Sequence, residues 1–260
     1  MRKLLAADFA QLLRDKVFWA AFAFMIVSTA ILVVSTHNMI ALDNYAPGTW
    51  TAETSMFCML PSVGIVNAIW LHLFIGSDYD QGTIRNKLIC GHHRSSIFFS
   101  HWLVACAGAL ANLAITLLIG TVLSKMFFQD FALDRSGLCW LYLCCALLTV
   151  AYTVIGVALA INISSKAGSI VTGMLVITGL SVLSSFIDSK ITDIEIRGID
   201  VGPLSEKILY FFHDFLPSGQ CTQINNLLFD RMAIWPLYSL ILTVLVTAVG
   251  YLLFRKKDIK

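Results

Sequence analysis

Charge is scarce in this chain of 260 residues. Asp, Glu, Lys and Arg make up 13% of it, about half the share found in an ordinary soluble domain. Hydrophobic residues make up 58%, and the mean hydropathy is +0.79. Several chemical signatures are also missing. No Gly-x-x-x-x-Gly-Lys-Ser/Thr phosphate loop occurs, so any nucleotide hydrolysis has to come from another chain. There is no His-Glu-x-x-His and no nucleophile elbow. The seven cysteines are odd in number and scattered, and no pair of them has zinc-ribbon spacing with a second pair to match. Cys106, Cys139, Cys144 and Cys145 fall in or at apolar runs, where they read as small packing residues.

What is there is a series of long uncharged runs. Six are long enough to cross a bilayer: Val17 to Val34, Met56 to Ile75, Ile97 to Leu123, Leu138 to Ile163, Ser169 to Ile187, and Ile234 to Phe254. At ~1.5 Å per residue the shortest just covers a hydrocarbon core of ~30 Å. The expected fold class is all-α: a polytopic membrane helix bundle of six transmembrane helices forming one domain over residues 1–260. Residues 1–16 are too polar to span. Leu5, Phe9, Leu12 and Leu13 read as one apolar face, with Arg2, Asp8, Gln11, Arg14 and Asp15 mostly elsewhere, which describes an interfacial helix. A secretory signal is the rival reading. The polar helix ahead of the apolar run, and the lack of a small-x-small cleavage site after it, argue against removal.

Basic residues orient the bundle. With the N terminus inside, the inner segments hold 12 of the 18 lysines and arginines, and they are also the shorter segments. The positive-inside rule then expects both termini in the cytoplasm of a multi-pass protein of the cell membrane. The stretch 188–233 becomes an extracytoplasmic loop. It opens with an acidic, polar piece, Asp188 to Asp200. An amphipathic helix follows from Leu204 to Leu216, then a break at Pro217, Ser218 and Gly219, then a second short helix from Gln220 to Leu228. Both helices are expected on the outer leaflet, either as a cap that closes the bundle or as an outer gate.

None of the six runs has an Asp, Glu, Lys or Arg in its interior, which speaks against proton- or sodium-coupled carriage and against a polar channel. Asn67, His72, Asn112 and Asn162 are the polar exceptions. They are candidates for lining a substrate path, although residues of this kind more often hydrogen-bond between helices. The polar island at 77–96 reads SDYDQGTIRNKLICGHHR from Ser77 to Arg94. Thr83 is a candidate N-cap, Ile84 to Cys90 make about two turns, and Gly91 suits a left-handed residue after the helix. Ile84 and Leu88 share a face, which Ile89 widens, and Arg85, Lys87 and Arg94 add positive charge. Such a helix is either a surface for a soluble partner or a solvated connector. Asp78 and Asp80 with His92 and His93 raise an alternative, a membrane-embedded enzyme working at the interface. The two histidines are adjacent and diverge on a helix, and the two carboxylates read as solvating the end of the second span.

This order of parts resembles the membrane subunit of a type-2 ATP-binding-cassette (ABC) exporter, and the resemblance covers nearly the whole chain. It rests on the interfacial helix, on the Gly82-Thr83-Ile84 step with Leu88, Gly91 and Arg94 after it, on Leu216-Pro217-Ser218-Gly219-Gln220, and on the ending Phe254-Arg255-Lys256-Lys257-Asp258-Ile259. The chain departs from the pattern at His101, where relatives often carry Lys, and that position is given no role. The resemblance implies that Ile84 to Leu88 form a coupling helix seated in an ATP-hydrolysing partner. Gly82, Thr83, Arg85, Lys87, Gly91 and Arg94 would complete the docking surface, and the N-terminal helix would be the elbow beside it. Two membrane subunits, identical or related, would pair with two ATPases that carry the ATP and Mg. This chain would bind no cofactor, have no catalytic or metal residues of its own and contact no nucleic acid. A peptide, antibiotic or lipid-like substrate would be moved outward. On this reading Leu88→Asp would uncouple the ATPase without preventing insertion.

Overall fold

The computed structural model describes residues 2–41, 52–128, 133–199, 201–228 and 231–257. Met1, Asp200, residues 229–230, Asp258, Ile259 and Lys260, all used above, lie outside the described residues. The described residues form helices α1 (Arg2–Arg14), α2 (Lys16–Ala41), α3 (Ala52–Phe57), α4 (Leu60–Asp80), α5 (Thr83–Ile89), α6 (Arg94–Phe127), α7 (Arg135–Asn162), α8 (Lys166–Arg197), α9 (Pro203–Phe215), α10 (Pro217–Asn225) and α11 (Trp235–Lys256). Six spans are long and apolar enough to cross a membrane: α2, α3 with α4, α6, α7, α8 and α11. The chain is thus an all-α, polytopic membrane protein, and each expected run coincides with one of these spans, with Ile163 and Ile234 falling one residue outside as caps.

The spans differ in how they are enclosed. α7 is the most buried, packed against α11, α4 and α6, whereas α2, α8 and α11 leave most of their surface outside the bundle. One apolar cluster lies at the α5 end, built around Trp70, Phe74, Ile97, Phe98, Ile161 and Phe254. A second lies at the other end, around Met56, Phe57, Leu141, Leu148, Ile224 and Trp235. Cys106, Cys144 and Cys145 are buried as expected of packing residues, as is Cys221, whereas Cys139 is exposed.

Several boundaries differ from the sequence reading. The second span is broken at Cys58–Met59, because Pro61 cannot donate to the helical ladder and so sits in the first turn of α4. α8 runs on to Arg197, so most of the piece expected as an acidic loop is helix; Gly198, with φ of +64°, ends it. The outer break is only Leu216, and Pro217 already starts α10. α10 does not lie flat on a surface. It is buried from Pro217 to Cys221 and packs against α8, α9 and α7. α9 does leave Leu204, Ile208, Phe211 and Phe212 exposed along its length.

The face of α1 also differs. Leu4, Asp8 and Leu12 are its buried residues, while Leu13 is 61% exposed. Asp8 therefore points inward with the leucines, one helical turn from each. Asp15 joins α1 to the bundle: one carboxylate oxygen accepts the backbone N–H of Val17 at 2.9 Å and starts α2, and the other accepts the indole N–H of Trp70 at 3.2 Å.

Candidate functional site

The loop helix α5 is set between two glycines with positive φ, Gly82 at +66° and Gly91 at +84°. Gly82, and not Thr83, is the N-cap; Thr83 is already the first helical residue, and the cap has no side-chain hydrogen bond. Only a residue free of Cβ strain reverses the chain this tightly after α4. At the other end the N–H of Gly91 donates to the Leu88 carbonyl at 3.0 Å, and that of His92 to the Lys87 carbonyl at 3.1 Å. This is the paired closure that a left-handed residue after a helix permits, as expected for Gly91.

α5 has two faces of different character. Ile84 is fully buried, and Leu88 packs half-buried against the same cluster. Lys87 also turns inward. Arg85, Asn86, Cys90 and Ile89, which is 73% exposed, face outward. The eight residues expected at a docking surface are therefore not all on one face, since Ile84, Lys87 and Leu88 hold α5 to its own chain.

Beneath α5 lies a layer of buried polar groups from four helices. The Lys87 ammonium donates to Asp8 Oδ1 at 2.9 Å and to Asp78 Oδ2 at 3.1 Å. Gln11 Nε2 donates to Asp78 Oδ1 at 2.8 Å, and Ser100 Oγ donates to Asp8 Oδ2 at 2.6 Å. His101 Nε2 lies 2.8 Å from Asp78 Oδ2, and its Nδ1 lies 2.9 Å from the Ile97 carbonyl. A carbonyl only accepts, so Nδ1 carries a hydrogen, and a further proton must lie between Nε2 and the carboxylate. With that proton, the two aspartates, Lys87 and His101 sum to zero charge. Without it, a net negative charge would be buried at great cost. Asp78 and Asp8 are each 1% exposed. Asp78 therefore does not solvate the end of the span as expected; it anchors this layer, while Asp80 next to it is exposed. His93 is exposed and His92 half-buried, and neither joins Asp78.

A second set of contacts ties α5's neighbours to the end of α11. The Arg94 guanidinium donates to the carbonyls of Phe254 at 3.1 Å and Arg255 at 3.2 Å, and also to that of Lys257. It thus caps the negative end of the α11 dipole. The Lys257 ammonium donates to the Tyr79 hydroxyl at 2.9 Å and to the Ile161 carbonyl at 3.2 Å, and the Tyr79 hydroxyl donates to that same carbonyl. Burial pulls the Lys257 amine down to about 8. Replacing Arg94 by Met should free the last carbonyls of α11. The expected loss is roughly 1–3 kcal/mol, the range for hydrogen bonds to a charged group. It should appear as faster amide exchange at residues 252–257.

Within the membrane-spanning parts the four polar exceptions each bridge helices. Asn112 Nδ2 donates to Asn67 Oδ1 at 2.8 Å, joining α6 to α4. His72 Nδ1 lies 2.7 Å from Ser169 Oγ, joining α4 to α8. Asn162 Nδ2 donates to the carbonyls of Ala158 at 2.8 Å and Gly250 at 3.1 Å, joining α7 to α11. Apart from the Asn67–Asn112 pair they lie at separate interfaces, and the structure does not bring all four onto one path. The His72 ring fills a notch at Gly173, where an added Cβ would stand 2.0 Å from Nε2.

The opposite end carries its own polar cluster around α10. Gln220 Nε2 donates to the Asp214 carbonyl at 2.8 Å, and Gln220 Oε1 accepts from Ser239 at 2.9 Å. Gln223 Nε2 donates to the His213 carbonyl at 3.0 Å, and Arg231 pairs with Asp214 at 3.2 Å. A cavity of about 300 Å³ opens here beside Asp188, Glu195, Tyr210 and His213. Burial and the Glu195 carboxylate push the Tyr210 phenol up to about 12. Among the described residues, no three His, Cys, Asp or Glu side chains converge as metal ligands would.

Sequence reasoning missed Asp8, Gln11, Ser100 and His101. One signal was present: Asp8 stands midway between Leu4 and Leu12, so a carboxylate interrupts an otherwise apolar stripe. A buried acid of that kind demands cationic or donor partners from elsewhere in the chain. Searched against known protein families the chain matches none, and it has no significant match among curated proteins.

Proposed function

We propose that this chain is the membrane-spanning subunit of an ABC-type exporter, and that α5 is the helix through which an ATP-hydrolysing partner drives it. One observation carries the reading: α5 presents Arg85, Asn86 and Ile89 outward while Lys87 on its inner side is bonded to both α1 and α4. A short helix held by a buried ion network to three longer ones is a lever. Displacing it displaces α1, α4 and α6 together, because each of the buried charges would lose its partner if they separated. Binding energy from a partner can in this way bias two packings of the spans.

The rest of the reading follows from the resemblance. Two membrane subunits and two ATPases make the complex, with ATP and Mg held by the ATPases. A peptide, antibiotic or lipid-like substrate moves outward. Both termini and α5 face the cytoplasm of a cell that carries the protein in its plasma membrane, the orientation that the basic residues favour.

Because Leu88 packs inward, Leu88→Asp would disturb this chain's own packing and so would confuse misfolding with loss of a partner. Ile89→Asp, on the exposed face, separates the two. The full chain is tagged, extracted in mild detergent, and its associated proteins are identified. An ATPase of ABC type in about equal amount, reduced at least tenfold by Ile89→Asp and by Arg85→Glu while the chain stays folded, is the expected result. A folded chain that emerges alone, or an ATPase retained in full by both variants, would overturn the assignment of α5.

A further inference from the structure

Two cavities open on the flank formed by α1, α2 and α4, and Val17 lines both. One is an apolar trough of about 440 Å³ between α2 and α4. Ser62, Ile65 and Ile69 form its α4 wall, and Ala20 and Phe24 stand opposite. The other, of about 600 Å³, continues along α4 past Leu73 and Ser77 and ends at Arg14 and Lys166. Residues 62, 65, 69, 73 and 77 follow at intervals of three or four, so they are a single face of α4. At ~1.5 Å per residue that face is ~22 Å long. The two cavities are consecutive parts of one groove, apolar along most of its length and cationic at one end.

The cationic end is free to take a ligand. Arg14 and Lys166 form no ion pair with another described residue. The one carboxylate on this wall, Asp15, is occupied by the Val17 N–H and the Trp70 indole. The Lys166 stem is held over α4 at Gly76, where an added Cβ would lie 2.9 Å from its Cγ.

We infer that the groove binds one anionic phospholipid, with its phosphate between Arg14 and Lys166 and an acyl chain along α2 and α4. One feature selects a lipid over a protein helix: the polar and apolar parts are joined end to end, as head and tail are. The inference uses the membrane setting of the six spans and is independent of the exporter reading.

The test uses the full chain in mild detergent, with its thermal midpoint followed as phosphatidylglycerol or phosphatidylcholine is added. Phosphatidylglycerol should raise the midpoint at the lower concentration. The pair Arg14→Gln and Lys166→Gln should weaken its apparent affinity roughly tenfold or more, as loss of charge-assisted hydrogen bonds does. The pair Arg2→Gln and Lys3→Gln, which removes equal charge elsewhere, should leave it unchanged. Equal weakening by both pairs, or by neither, overturns the site. Stabilisation by glycerol 3-phosphate equal to that by phosphatidylglycerol would mean a bare anion site and overturns the lipid. Native mass spectrometry of the unmodified chain needs no variant: one retained phosphatidylglycerol is expected, and none would refute it. If Ala20→Trp changes the number of subunits without weakening lipid binding, the groove is a contact between copies and the inference fails.

Discussion

Asp78→Ala is expected to destabilise the protein by roughly 3–5 kcal/mol, the cost of removing one partner from a buried ion pair. Three donors converge on this carboxylate: Lys87, His101 and Gln11. Lys87 is 11% exposed and His101 is 1% exposed, so neither can recover its solvation by turning to water. Lys87 would keep Asp8, but His101 would be left facing an empty space. The thermal midpoint in mild detergent should fall by on the order of 10 °C. Asp78→Asn keeps two oxygen-sized groups in place and should cost less. A double variant, Asp78→Ala with His101→Leu, should recover part of the loss, because it removes the stranded imidazole as well. An Asp78→Ala protein with an unchanged midpoint would show that the layer does not hold α5 to α1 and α6. The same variant tests the proposed lever: if an ATPase drives the chain through α5, it should still dock but no longer drive transport once the network is cut.

The second large effect is expected at Gly173. A Cβ at this position would lie 2.0 Å from His72 Nε2 and 2.2 Å from its Cδ2, so even alanine cannot be added without moving the ring. The ring is fully buried and bonded to Ser169, so it has no outward rotamer to take. Gly173→Leu should therefore push α8 away from α4, at a cost of about 3 kcal/mol or more, the upper end for overpacking. Gly173→Leu with His72→Ala should regain part of the loss, since the ring that the new side chain strikes is removed. A Gly173→Leu protein as stable as the parent would mean that α4 and α8 do not meet this closely.

The two effects differ in how they could be read in advance. Gly173 is one of several small residues in apolar runs, and such residues let helix backbones approach closely. That His72 fills its notch was not visible, because the two residues stand on different helices. His72 itself, with Asn67, Asn112 and Asn162, stood out as polar within apolar runs, and interhelical hydrogen bonding is what each does. Lys87 and Arg94 stood out too, but as surface charge. Both turn inward, one to a carboxylate from α1 and one to the end of α11. Local pattern cannot assign such partners. A helix seven residues long offers every side chain a similar local setting, and only the elements packed around it decide which charge is buried.

What the sequence by itself determined is the number of spans, their all-helical class and the left-handed turn at Gly91. These follow from local physics: backbone polar groups in hydrocarbon need internal hydrogen bonds, and left-handed turns need glycine. What only the tertiary structure decided is the ionic layer under α5, the burial of α10 and the groove ending at Arg14 and Lys166. Gln11 meets Asp78 across 67 positions of sequence, and Ser100 meets Asp8 across 92. The burial that makes those contacts strong exists only once the helices have packed.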